Sequence, residues 1–295
     1  MPTALEQSLF RALAYFAYFR YPLTTMELWK WCDVPETSIV GIDETIQSSV
    51  WLREKGVRSD HGFFGVGDVG SWRAERIHRV TDALRKSRRA ERFVRFASIF
   101  PWIKMIAVCN SLAFSFTNTE SDIDLCIVTQ RGRIWSTRLL LTGVLALMRA
   151  RPGEREKDPL CLSFFIAEDR LDLSLVKIGP EDPYLLYWIA TLSPVLDRDE
   201  TCAKLHAANA WIRPNVPRVQ RVQKAQSYVV AAPSRIPNIS WIEPYAERFQ
   251  RSRFPTVLRS MMNQDSRVVV TDSMLKFHHN DRRQEILNAY ETMVS

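Results

Sequence analysis

Two short apolar runs with a polar loop between them constrain this chain more than anything else in it. The first, Val108-Cys109-Asn110-Ser111-Leu112, ends in small polar groups; the second, Ser121-Asp122-Ile123-Asp124-Leu125-Cys126-Ile127-Val128-Thr129, opens with two aspartates one residue apart. Both read as strands. Alternate side chains of a strand share a face, so Asp122 and Asp124 are expected side by side, about 7 Å apart along the backbone. Carboxylates held that close repel unless a cation lies between them. Mg²⁺ suits the position, because it prefers carboxylate oxygens, keeps several waters and takes its remaining ligands from a substrate's phosphates. The plainer alternative is that Ser121-Asp122 only caps a turn into a buried strand.

Upstream, Leu5, Leu9, Leu13, Phe16 and Phe19 stand at helical spacing, and Tyr21-Pro22 ends that helix because proline disfavours helical geometry in the residue before it. Thr24 with Glu27 three residues on makes a capping box for a second helix through Trp29, Trp31 and Cys32. A third helix is expected over residues 43–55, with Ile42, Ile46 and Val50 inward and Gly56 as its stop. Residues 57–66 then form a hairpin that turns at His61-Gly62. Three helices and a hairpin in that order describe a winged-helix domain over residues 1–69. Two roles are open to it. A winged helix can lay its third helix in the major groove of DNA, but Asp43, Glu44 and Glu54 dilute Arg53 and Lys55 there, so few phosphate contacts are on offer. The other role is docking or dimerisation.

Residues 71–97 read as one long Arg-rich helix within a basic connecting segment, 70–100. Ile77, Val80, Leu84, Phe93 and Phe96 give it an interrupted apolar stripe. It joins the first domain to the next, and its basic face is a candidate for a phosphate or nucleic-acid surface. Beyond it, strands at residues 104–109, 122–129 and 160–166 alternate with helices at 133–150, 182–192 and 199–211, and Pro194-Val195-Leu196 adds an edge strand. The expected class is α+β, with a mixed sheet and helices against it.

The spacing of Asn110-Ser111 and Asp122-Ile123-Asp124-Leu125 resembles the signature of the nucleotidyltransferase superfold, the polymerase-beta-like family, in which the first pair is normally Gly-Ser or Gly-Gly. The resemblance implies a nucleotidyltransferase-like domain over residues 101–200 that binds a nucleoside triphosphate and moves a nucleoside monophosphate to a hydroxyl of nucleic acid, protein or a small molecule. It makes Asp122 and Asp124 the catalytic, metal-binding pair for one Mg²⁺, and Asn110, Ser111 and Ser121 the nucleotide contacts. With Tyr21-Pro22-Leu23-Thr24 and Cys161-Leu162-Ser163-Phe164, nearly the full length resembles a bacterial group that joins a winged helix, a basic helix and such a domain. Two departures stand out. Active members carry a third carboxylate on the third strand, whereas this one presents Cys161, Ser163 and Phe165 on one face and Leu160, Leu162 and Phe164 on the other. A second metal ion would therefore lack a ligand, and the competing reading is a non-catalytic nucleotide-sensing or DNA-binding regulator. Asn110 also replaces a glycine that lets backbone approach phosphate closely.

The C-terminal region, 201–295, is expected to be mostly helical, with an exposed linker over 214–238. Helix is expected over 241–262 apart from Pro244 and Pro255, an added edge strand at 267–270, and a last helix over 272–293. That helix contains Lys276, His278, His279, Asp281, Arg282 and Arg283; if it folds back over the carboxylates, its cations meet phosphate charge. Adjacent histidines on a helix point about 100° apart and do not share a metal.

Lysine and arginine exceed aspartate and glutamate by 40 to 33, an excess that permits phosphorylated partners without demanding them. Five cysteines without paired spacing read as small buried hydrophobes in a reducing compartment. No export signal opens the chain, and the most apolar run, 139–148, is about half of what a bilayer needs. A cytoplasmic protein without membrane partners is expected.

Overall fold

A computed structural model describes residues 1–154, 157–218, 236–237 and 240–295. Helix α1 (Ala4–Tyr18) starts at a capping box in which Thr3 and Glu6 satisfy each other's backbone N–H groups, and α2 (Thr25–Trp31) starts at the expected box of Thr24 and Glu27. The single helix expected over 43–55 is instead two, α3 (Ile39–Ser48) and α4 (Val50–Glu54). Ser49 makes the break. Its backbone is extended, its Oγ accepts from Leu52 N at 3.1 Å, and its hydroxyl donates to Glu6. Strands β2 (Val57–Asp60) and β3 (Phe63–Val66) form the hairpin, with β1 (Leu23–Thr24) on the other side of β3. His61 and Gly62 both take positive φ at the turn, as a two-residue hairpin with right-handed twist requires.

Helix α5 (Val69–Ala97) runs unbroken from this unit to the main sheet. Its buried stripe is Ala83, Lys86, Ala90, Phe93, Val94 and Ala97; of the apolar set read from sequence only Phe93 is buried, and Ile77, Val80, Leu84 and Phe96 are exposed. Three alanines alternate there with the longer Lys86, Phe93 and Val94, so the inward face mixes small and large side chains that interdigitate with the sheet.

The main sheet is built from β4 (Ile103–Val108), β5 (Ile123–Thr129), β6 (Leu160–Ala167), β7 (Ser193–Asp197), β8 (Val268–Val270) and β9 (Met274–Phe277). Its order is β7-β4-β5-β6-β9-β8, with only β5 and β6 parallel. Both expected edge strands are present, at 193–197 and 268–270. The parallel pair needs a crossover, and α7 (Ile134–Leu147) supplies it. Helices α6 (Asn110–Ala113), α8 (Pro183–Thr191) and α9 (Thr201–Ala208) follow strand ends. After the 214–238 region come α10 (Glu243–Ser252), α11 (Thr256–Met261) and α12 (Arg283–Val294).

The sheet has a core on each face. Ile106, Ile123, Leu125, Ile127 and Phe165 pack with α5, α7 and α10. Met105, Cys126, Val128, Phe164 and Ile166 pack with α8 and α9 in a core that continues into Leu9, Phe16, Leu28 and Ile42 of the N-terminal helices. Each such side chain contributes about 1.5–3 kcal/mol on burial, so the N-terminal unit is held to this face by a shared core. A register shift in β6 between the partners of Asp124 and Cys126 puts Phe164, not Phe165, on the face of Cys161. Simple alternation along 160–166 therefore fails at the bulge.

Two C-terminal expectations change. Residues 272–293 are not one helix: β9 and a turn precede α12. Of the expected exposed linker, 219–235 and 238 lie outside the described residues, but Val216 and Arg218 at its start are buried. Arg218 donates to the carbonyl oxygens of Trp29, Cys32, Val34 and Pro35 at 2.6–3.0 Å and Thr37 at 3.3 Å. Four cysteines are buried and Cys161 is half-buried, all as free thiols. Among the described residues no helix is long and apolar enough to cross a membrane.

Candidate functional site

The loop between β4 and β5 is fixed at both ends. At the first, Asn110 takes φ +55°, the left-handed conformation that asparagine tolerates and glycine adopts freely. The backbone path a glycine would give is thus kept. Asn110 Oδ1 accepts from Tyr184 Oη and Trp188 Nε1, each at 3.0 Å, and its side chain hydrogen-bonds the Asp124 carboxylate. At the second end, Asn118 and Ser121 close a turn: Asn118 Oδ1 accepts from Ser121 N at 2.8 Å, and Ser121 Oγ donates to Asn118 O at 3.0 Å.

Lys86 of α5 holds that turn. Its ammonium, with no exposed surface, donates to Ser121 Oγ at 2.8 Å, Asn118 O at 2.5 Å and Ser121 O. Asp82 and Asp158 balance its charge at 3.5 and 3.7 Å. In the sequence Lys86 is one cation among many. The signal that separates it is helical register, since it falls in step with Ala83, Ala90 and Phe93 on the buried face.

Asp122, just before β5, and Asp124, within it, both line a cleft of about 460 Å³. Burial pushes both carboxyls above the ordinary range; the Asp124 charge adds to this at Asp122, and Lys86 works against it. At Asp124 the hydrogen bonds from Asn110 and Cys161 also favour the charged form. Asn110 shares the cleft. Ser111 lies instead on an adjoining aromatic pocket, and the Ser121 hydroxyl is engaged by the turn and Lys86.

The third strand offers no acid to this cleft, as its sequence implied. In place of one, side chains make a connected row from Asp124 through Cys161 and Ser163 to His278. The Cys161 thiol bonds the carboxylate, Ser163 bonds the thiol, and Ser163 Oγ lies 3.1 Å from His278 Nε2. Burial, and then the Asp124 charge, push Cys161 up to about 12, so it remains a thiol at neutral pH. Burial, and then Lys276, push His278 down to about 3, so its imidazole stays neutral.

The opposite wall is the C-terminal segment, which does cross the site, as strand and turn. Pairing of β9 with β6 sets Lys276 opposite Phe164. Lys276 donates to Ser266 O at 2.5 Å and pairs with Asp281 at 3.5 Å; burial, then Arg283, push it down to about 8. Arg283 is shared between Asp281 at 2.7 Å and Asp182 at 3.2 Å. Arg282 turns outward to Glu285 at 2.8 Å and to the Tyr18 hydroxyl of α1 at 2.6 Å. The wall is cationic but internally paired, so its charge is held in fixed positions.

A divalent cation suits the two carboxylates, whose charged forms are disfavoured by burial and, at Asp122, by the charge of Asp124. Among the described residues, however, no group of three or more His, Cys, Asp or Glu side chains is placed to hold a metal. Such an ion would need water and phosphate oxygens to complete its shell, which is how Mg²⁺ is usually bound. Compared with known proteins, the chain matches no family model, no curated protein and no solved structure. Its role is therefore argued from the site.

Proposed function

We propose that this protein binds a nucleoside triphosphate with Mg²⁺ and acts as a nucleotidyltransferase on a hydroxyl acceptor. The observation that carries the reading is one cleft with Asp122 and Asp124 on one wall and Lys276 and Arg283 on the other. Asp122 and Asp124 would hold Mg²⁺, which supplies charge neutralisation at the phosphates. Asn110 aims Asp124 and favours its charged form against the burial that opposes it, Lys86 fixes the turn that delivers Asp122, and the basic wall offsets charge on the phosphate oxygens. In the transfer, the acceptor oxygen bonds to the α-phosphorus as the bond to pyrophosphate breaks, and the hydroxyl proton passes to water. His278 is too weak a base to take it at neutral pH. The N-terminal helices and hairpin have the order of a winged helix, and on this reading serve to complete and anchor the site.

A second reading has its own observation: the third strand brings Cys161 and Ser163 to the cleft and no carboxylate, where the resemblance implies a third acid for a second metal ion. The protein would then be a nucleotide-binding regulator without transfer. One experiment separates the two. The full chain is incubated with Mg²⁺, each triphosphate labelled at its α-phosphate, and a pool of RNA, protein and small-molecule acceptors. Label moving to an acceptor, and lost in a folded Asp124→Asn variant, supports the transferase. Transfer that survives Asp124→Asn contradicts it, and Mg²⁺-dependent binding without transfer selects the regulator.

A further inference from the structure

Beside the carboxylate cleft lies a second pocket of about 250 Å³. Tyr15 and Phe16 of α1 with Phe19 just after it form one wall, Phe114 and Phe116 after α6 another, and Trp188 of α8 a third. It is smaller than the roughly 300–1,000 Å³ of a pocket for a drug-sized ligand, so it admits a flat ring system and not a whole nucleotide. The two cavities meet at Asn110, Phe19, Tyr184 and Trp188. Asn110 is the partition: its side chain bonds Asp124 on one side, while Tyr184 and Trp188 hold its Oδ1.

We propose that this pocket seats a planar, weakly polar ring carried by the hydroxyl acceptor, next to the carboxylates that hold the nucleotide. The proposal rests on the transferase reading and names its acceptor class. Polar supply in the pocket decides between an acceptor ring and a nucleobase. Tyr184 Oη is given to Asn110, Thr191 Oγ1 to Tyr187 O at 2.7 Å, and Tyr21 Oη to Glu27 at 3.0 Å and Phe114 O at 3.2 Å. The hydroxyls of Tyr15 and Ser111 remain, neither with a hydrogen-bond partner among the described residues. A nucleobase brings several donors and acceptors on its edge, and each one buried unpaired weakens binding. A ring with one hydroxyl is satisfied by what is there, and aromatic walls favour offset or edge-to-face contact with it. Tyr15, Phe16, Phe19 and Tyr21 come from the N-terminal unit, so that unit is part of the site.

The test is calorimetric titration of the full chain with 2-naphthol, a flat ring system bearing one hydroxyl, with and without saturating ATP and Mg²⁺, and with adenosine for comparison. Saturable 2-naphthol binding that persists beside ATP and Mg²⁺, and weakens about threefold to tenfold in Tyr15→Phe as loss of one neutral hydrogen bond implies, supports the proposal. Tyr15→Phe keeps the ring stacked on Tyr187, and a matching thermal melt establishes that it is folded. Adenosine competing for the same pocket, 2-naphthol expelled by ATP and Mg²⁺, binding indifferent to Tyr15→Phe, or no saturable binding would each overturn it. If 2-naphthol binds as expected but ATP does not bind with Mg²⁺, the pocket stands and the transferase reading falls.

Discussion

Replacing Lys86 by methionine keeps most of the side chain's length and removes its charge. The ammonium has no exposed surface and makes three hydrogen bonds to the turn before Asp122, with Asp82 and Asp158 within 4 Å. Charge-assisted hydrogen bonds contribute about 1.5–3 kcal/mol each, but all three share one donor and do not add. The better guide is loss of one partner from a buried ion pair, which costs about 3–5 kcal/mol. Arg85 keeps partial hold of both aspartates, bonding Asp158 at 2.8 Å and also pairing with Asp82, which places the expected loss near the lower end, about 3 kcal/mol. For a chain of this size each kcal/mol lowers the melting temperature by roughly 2–4 °C, so a fall on the order of 10 °C is expected. Urea denaturation followed by circular dichroism measures it directly. A Lys86→Met variant within about 1 kcal/mol of the wild type, with an unchanged denaturant slope, would refute the claim that this lysine pins the turn.

Three further outcomes are expected. Arg218→Lys should destabilise the chain by about 2–3 kcal/mol, because a single ammonium cannot reproduce a planar fork serving five carbonyl oxygens; a denaturation midpoint equal to the wild type would contradict this. Without Mg²⁺, Asp122→Asn should raise the melting temperature at pH 7. The folded carboxyl is pushed above its unfolded value, so its favourable share of stability is present below the unfolded pKa and is lost as pH rises through the folded one; the gain should vanish toward pH 3, and a gain independent of pH would refute the assignment. For His278 the sign is reversed. Its folded value is down to about 3 from 6.5, so stability present above 6.5 drains away as pH falls toward 3, and His278→Gln should flatten that acid limb. Identical limbs in both proteins would show that His278 is not buried neutral.

Local pattern in the sequence carried the strands at 103–108, 123–129 and 160–167, the long helix and both edge strands, because period-two and period-3.6 patterning is written into neighbouring residues. It failed where a distant partner decides. The break at Ser49 depends on Glu6, 43 residues away. Residues 274–277 are a strand because β6 offers them a free edge, a pairing no local window contains. Of the apolar set read in α5 only Phe93 turns inward; Ile77, Val80, Leu84 and Phe96 are exposed, because the face that packs is set by the distant sheet and by the turn that Lys86 holds. At the site, the aspartate pair and the lack of an acid on the third strand were legible. Lys86, the row through Cys161, Ser163 and His278, and the aromatic pocket were not, since each joins residues far apart in the chain.

The central claim is a Mg²⁺-dependent nucleotide site on Asp122 and Asp124. Its most direct test is calorimetric titration of each nucleoside triphosphate, with and without Mg²⁺, into the wild type and an Asp122→Asn, Asp124→Asn double variant. Saturable binding that requires Mg²⁺ and disappears in the folded double variant is the predicted result. Binding that ignores Mg²⁺ or survives the double substitution, or no binding by the wild type, would contradict it.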